Sequence, residues 1–220
     1  MIDCAVQQQR MKKPDPAMNK PNIVILDMEW TAWEGSKERS WTGPGEMRET
    51  VQIGAVKLSY DDGLTEIGMF DCYIKPQFNP ELSDYFIDLT GITQATVDNL
   101  GIPFEHALHK FQNFIADDTW RICSHGGDDN QILENCVLYG LSNPFEAASF
   151  CDVSQPIADY LKVERLYYCS GDLSEPFGLE RPGGAHNAVT DSRCIAGALR
   201  ILHHEGIDFM SPRFRSVAIS

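Results

Sequence analysis

The chain has 220 residues, 43% of them hydrophobic and 23% charged, enough for one well-buried core and short for two, so a single α/β domain is the expectation. Its 32 acidic against 18 basic side chains give a formal net charge of −14, which argues against a broad basic footprint on a duplex, because such binding depends on Lys and Arg neutralising many phosphates. No apolar run approaches the roughly 20 residues of a membrane span, and the first residues lack the apolar stretch of a signal peptide, so the sequence reads as cytoplasmic.

Residues 1–21 carry Lys12-Lys13-Pro14-Asp15-Pro16 and Lys20-Pro21 without a hydrophobic period and read as a mobile leader, leaving 22–220 as one domain. The run Ile23-Val24-Ile25-Leu26 is short, wholly apolar and β-rich, which suits a strand buried on both faces. Residues 32–49 hold Gly35, Gly43-Pro44-Gly45, Trp33, Trp41 and several charges, and read as a long connection rather than a regular element. Residues 51–58 alternate as a strand should, Asp61-Asp62-Gly63 marks a turn, and a third strand follows over about 67–74. These three make an antiparallel meander. Helical spacing predicts helices over 82–89 and 104–115, the latter with Phe104, Ala107, Leu108, Phe111, Phe114 and Ile115 recurring at three and four. Residues 120–124 read as a strand that meets Gly126-Gly127, and helices follow over about 128–141 and 187–204. Strands first, then alternating helix and strand, predict an α/β architecture with a mixed sheet flanked by helices.

Seven cysteines, Cys4, Cys72, Cys123, Cys136, Cys151, Cys169 and Cys194, show no CxxC pair and no zinc-like spacing, and read as reduced thiols. Cys72, Cys123, Cys136 and Cys194 fall inside predicted elements, where Cys behaves as a small buried hydrophobe.

Chemistry is suggested by three clusters. In Asp27-Met28-Glu29, residues two apart on a strand point to one side, so both carboxylates project together from the end of a buried strand. Like charges held that close favour a shared cation, and oxygen ligands select a hard ion such as Mg²⁺ or Mn²⁺ rather than zinc. Near the other end, His186-Asn187-Ala188-Val189-Thr190-Asp191 follows Pro182-Gly183-Gly184 and opens a helix, with His186 in the entry loop and Asp191 in the first turns. Gly183 and Gly184 would give that loop freedom to move. The third cluster is Gly126-Gly127-Asp128-Asp129, where acids at a helix start are also explained by capping and the helix dipole.

Taken together and in this order, the clusters resemble the DnaQ-like exonuclease superfamily in its DEDDh form, over residues 22 to about 205. A fourth match is Leu89-Thr90-Gly91-Ile92-Thr93, similar to a segment between the first two motifs in many members, and with Leu82-Ser83-Asp84-Tyr85 it looks most like the branch of histone-mRNA 3′ exonucleases and their bacterial relatives. The resemblance implies a ribonuclease H-like fold and a metal-dependent 3′→5′ exonuclease that releases nucleoside 5′-monophosphates from single-stranded RNA or DNA ends. By the family's roles, Asp27, Glu29 and Asp191 hold one divalent cation, Asp27 and Asp128 the second, and His186 is the general base. Two consecutive acids compete at the middle motif. The count from Gly126 favours Asp129, while Asn135-Cys136 downstream and the helix register favour Asp128, which is the assignment with Asp129 as its alternative.

Substrate contacts are expected from Met28, Trp30, Thr31 and Trp33 beside the metals, with Leu89 and Ile92 wedging the terminal bases. Two other readings compete: a nuclease confined to very short oligonucleotides, which the net charge favours, and a non-enzymatic binding module of the same fold, against which all five catalytic residues stand. The motifs specify neither the sugar nor the choice between monomer and homodimer.

Overall fold

The computed structural model describes residues 22–60, 63–116, 119–184 and 186–210; the expected leader and the Asp61-Asp62 part of the expected turn lie outside the described residues. Five strands, β1 (Asn22–Trp30), β2 (Thr50–Ser59), β3 (Thr65–Tyr73), β4 (Thr119–Ser124) and β5 (Phe150–Asp152), form one sheet in the order β3-β2-β1-β4-β5. β1, β2 and β3 pair antiparallel as the expected meander, whereas β4 and β5 add on parallel beyond β1. Among the described residues, six α-helices flank it: α1 (Asp84–Thr90), α2 (Gln94–Leu100), α3 (Phe104–Ile115), α4 (Asp128–Leu138), α5 (Ser154–Leu161) and α6 (Ala188–His204).

The position of β1 explains its composition. Ile23 and Ile25 turn to one face and join a core with Leu199 and Leu202 of α6, while Val24 and Leu26 turn to the other and join Phe104 and Phe111 of α3. These four residues of β1 are fully buried, and the polar side chains of the strand fall towards its two ends, at Asn22 and at Asp27 and Glu29.

Boundaries differ from expectation where caps decide them. The helix expected over 82–89 is α1, because the Ser83 hydroxyl accepts from the Phe86 amide and Gly91, at φ 72°, ends the helix. α4 stops at Leu138, short of the expected 141, with Gly140 at φ 68°. The third strand spans 65–73 rather than 67–74, and Ile74 instead makes an isolated bridge to Ile102. α2, β5 and α5 are additions to the sequence reading. Cys72, Cys123, Cys136 and Cys194 are buried free thiols, as expected.

Candidate active site

The strand register places the first two acids. Asp27 lies opposite Gly54 of β2 and Glu29 opposite Gln52. A Cβ on Gly54 would run into the backbone of Ala188 and Val189, so the absence of a side chain lets the start of α6 lie directly on the sheet beside Asp27. Two bonds pin it there: the Ala188 amide donates to Gln52 Oε1 (3.1 Å), and Ser192 Oγ donates to the Gly54 carbonyl (2.9 Å). Asn187 caps the helix through the Thr190 amide (3.2 Å). Asp191 is thereby delivered to the face of β1 that carries Glu29, and one ligand atom each from Glu29, His186 and Asp191 lie within 4.8 Å of one another. The left-handed backbone of this entry loop falls on His186 itself (φ 52°), not on Gly183 or Gly184.

Asp128 arrives from the parallel neighbour. β4 ends at Ser124, Gly126 turns at φ 128°, and α4 begins with Asp128, which is buried and acts on both Asp27 and Glu29 as a like charge. Asp129 is half-buried and instead feels Asp152. Of the two competing acids, the geometry brings Asp128 to the cluster.

Crowding shows in the acidities. Burial, then Asp128, Glu29 and Asp191, push Asp27 well above the carboxylate range, against a hydrogen bond from Ser170 that lowers it. Burial, then Asp191 and Asp128, raise Glu29 to about 8. Burial raises Asp128 to about 7, and it raises Asp191 to about 7 against the pull of Arg181. A folded-state pKa above the unfolded one means the native state holds protons that the unfolded chain releases. The metal-free protein should therefore lose stability as pH rises from about 4 to about 8. Thermal melts in EDTA at pH 5 and pH 8 test this; a melting temperature that does not fall at pH 8 in EDTA, or falls equally with millimolar Mn²⁺, would contradict it.

The expected substrate contacts are placed unevenly. Met28 points away from the acids into the α3-side core, 3% exposed, so its side chain does not face the site. Trp30 packs against the same core and meets Trp41 edge-on at 6.3 Å. The Thr31 hydroxyl donates to the Met47 carbonyl (2.5 Å) and accepts from the Glu49 amide (3.0 Å), which ties it to the 32–49 connection. Trp33 is half-buried, as is Leu89 near the end of α1. Ile92 is 3% exposed in a cluster with Val51, Phe86 and Val97.

The connection is a folded loop. Trp41 Nε1 donates to the Thr31 carbonyl (2.9 Å), and Arg48 lies over the Trp41 ring at 5.3 Å. Fully buried Glu49 accepts from the amides of Gln77 (2.6 Å), Phe78 (3.0 Å) and Asn79 (2.5 Å). Ser170, Gly171 and Arg181 also border the acids without having been singled out in the sequence, since they come from an irregular stretch with no motif of its own. Gly54 did leave a signal, a glycine inside an alternating strand.

An exonuclease family model, RNase_T, matches residues 24–199. The chain belongs to this exonuclease family. Among its relatives, ERI1 exoribonuclease 2 of Xenopus laevis is 34% identical over 198 residues, covering 79% of this chain and 27% of that protein. Human 3′-5′ exoribonuclease 1 is 28% identical over 189 residues, covering 82% of this chain and 52% of that protein. The matched part thus spans between about a quarter and about half of these relatives. The solved nuclease domain of 3′hExo, a DEDDh family member bound to rAMP, superposes with a TM-score of 0.73 at 26% identity, covering 86% of this chain and 94% of that one. The fold is the ribonuclease H-like fold of these nucleases.

Members of this exonuclease family use divalent metal ions, and the residues present suit one. The donors are hard carboxylate oxygens, their pKa values are raised by burial and by one another, and Asp191 Oδ1 is buried with no hydrogen-bond partner. A cation would satisfy that oxygen and relieve the repulsion at once.

Proposed function

We propose that this chain is a metal-dependent 3′→5′ exonuclease that trims single-stranded RNA ends to nucleoside 5′-monophosphates, with residues 22–220 as one exonuclease domain. The observation that carries the proposal is the convergence of Asp27, Glu29, Asp128, His186 and Asp191 from β1, α4 and the start of α6. RNA is favoured over DNA by the exoribonuclease relatives and by the rAMP bound to the 3′hExo domain. Free thiols among the described residues suit a reducing, cytoplasmic setting.

Asp27, Glu29, Asp128 and Asp191 would hold two ions, Mg²⁺ or Mn²⁺. When bound, such ions supply positive charge at the attacking and leaving oxygens of an in-line displacement. Within the protein, His186 is set up to accept the proton of the attacking water. Burial lowers its pKa, as do Arg181 and Lys37, while Asp172 opposes them, so the imidazole is unprotonated at neutral pH. Ser170 lies beside Asp27 and favours its ionised form, and the pins at Gln52 and Gly54 fix Asp191 against β1.

The acid at the start of α4 gives a sharp test. Asp128→Asn should lower turnover on the order of 10²–10³-fold and Asp129→Asn little, since consecutive helical residues diverge by about 100° and only Asp128 meets Asp27. Kinetics in the reverse order would transfer the role to Asp129.

The overall proposal is tested with 3′- and 5′-labelled single-stranded RNA and DNA of graded length, in Mg²⁺, Mn²⁺ or EDTA. Mononucleotide release from the 3′ end of RNA, lost in EDTA, is expected; metal-independent or 5′-directed cleavage would refute it. The −14 charge favours a second reading, action on very short oligonucleotides, which requires no long basic track. A rate that rises as the substrate shortens to a few nucleotides would select that reading.

A further inference from the structure

One cation stands beside the acids without a role in holding metal. Arg181 Nη2 lies 3.9 Å from Asp191 Oδ1, and its Nη1 lies 3.7 Å from Asp172 Oδ1. Both gaps are too long for hydrogen bonds, and the buried Arg181 Nε has no partner either. Other arginines among the described residues are engaged: Arg39 with Glu46, Arg48 with Glu134, Arg165 with Asp152, Arg193 with Glu66, and Arg200 with the Leu64 carbonyl.

The space Arg181 occupies is kept open by the backbone. A Cβ on Gly171 would sit 2.5 Å from Arg181 Nη2 and 2.6 Å from Asp191 Oδ1, so only glycine there lets the guanidinium and the carboxylate share one cleft. About a third of the arginine side chain, 32%, remains exposed, and its charge reaches His186. The guanidinium therefore lies at the open rim of the place where Glu29, His186 and Asp191 converge, with donors unspent.

We propose that Arg181 is a further catalytic residue, whose guanidinium fork binds non-bridging oxygens of the scissile phosphate, and that in the metal-free protein it serves as a loose counter-cation to Asp191. This rests on the exonuclease reading above. A planar fork matches phosphate oxygens in pairs, which a lysine ammonium does not. In a chain with 14 more acidic than basic side chains, a substrate polyanion gains most from a guanidinium that already stands beside the acids.

The test compares wild type with Arg181→Met and Arg181→Lys in three measurements: calorimetric Mn²⁺ binding, AMP binding to the Mn²⁺-loaded protein, and hydrolysis of single-stranded RNA. Arg181→Met should bind Mn²⁺ as tightly as wild type or more tightly, because a competing cation near Asp191 is gone. It should bind AMP about tenfold more weakly or worse and lose on the order of 10²–10³-fold in kcat/KM, with Arg181→Lys recovering part of both. AMP affinity and kcat/KM within about threefold of wild type would overturn the proposal. Weakened Mn²⁺ binding in Arg181→Met would also overturn it, by making the residue a support for Asp191. A wild-type protein without metal-dependent hydrolysis would defeat the exonuclease reading instead, while AMP binding would still judge Arg181.

Discussion

Asp27→Asn should abolish hydrolysis, by on the order of 10³-fold or more, and at the same time raise the melting temperature of the metal-free protein at pH 8. The two effects share one cause. Asp27 is buried at the centre of the cluster and is repelled by Asp128, Glu29 and Asp191, so its ionised form is tolerable only beside a cation. Asparagine keeps the shape and removes the charge.

The stability gain carries its own signature. Because burial and the neighbouring carboxylates raise the folded-state pKa of Asp27, wild type loses stability as pH rises, so the gain of the variant should be smallest at acid pH and open as pH rises. Mn²⁺ should reverse the order, stabilising wild type through binding linkage and the variant much less. Near-normal turnover of Asp27→Asn in Mg²⁺ would sink the metal-site assignment. A variant less stable than wild type in EDTA at pH 8 would instead refute the electrostatic account.

Much of this site was legible in the sequence because its parts lie on elements with strong local signals. Ile23-Val24-Ile25-Leu26 announces a doubly buried strand, and period two then fixes Asp27 and Glu29 to one side. α3 and α6 declare themselves by apolar spacing, and α6 carries Asp191 in its first turn. What stayed hidden depends on distant partners. β5 has only three residues and exists as a strand because it pairs with β4 from Ile122 to Ser124. The 32–49 connection looked irregular and is so in backbone terms, yet its order comes from Glu49 docking on amides 28 to 30 residues away. The direction of Met28 has a simpler reason: lying between Asp27 and Glu29 in sequence puts its side chain on the opposite face of the strand, which leaves only its backbone beside the acids. Asp128 and Asp129 are nearly equivalent as letters, and burial beside Asp27 separates them.

His186→Ala should lose about 10²–10⁴-fold in turnover, the usual range for removing a general base, while leaving substrate affinity close to wild type. The shape of the pH profile distinguishes this role from metal ligation, which the closeness of His186 to Glu29 and Asp191 also invites. Burial depresses the His186 pKa below the ordinary imidazole value, so the unprotonated base persists to lower pH than free imidazole would allow. With Mn²⁺ saturating at every pH, so that protonation of the acids is outcompeted, the wild-type rate should therefore fall on acidification only below about pH 6.5, and that limb should be missing from His186→Ala. Mn²⁺ binding must be measured above pH 8, where the raised acids Glu29, Asp128 and Asp191 are ionised and their protonation does not compete with the metal. If His186 is the base, calorimetry there should find the Mn²⁺ affinity of the variant unchanged. A loss of Mn²⁺ affinity of tenfold or more, about 1.4 kcal/mol, would make His186 a ligand rather than a base. Retention of more than about a tenth of wild-type turnover, with the acidic limb intact, would remove it from proton transfer altogether. The left-handed backbone at His186 adds a structural demand on the same residue, since a non-glycine side chain at φ 52° carries local strain. His186→Asn is therefore the companion variant: it tolerates that conformation and cannot act as a base, so equal losses in Ala and Asn assign the defect to proton transfer and not to loop geometry.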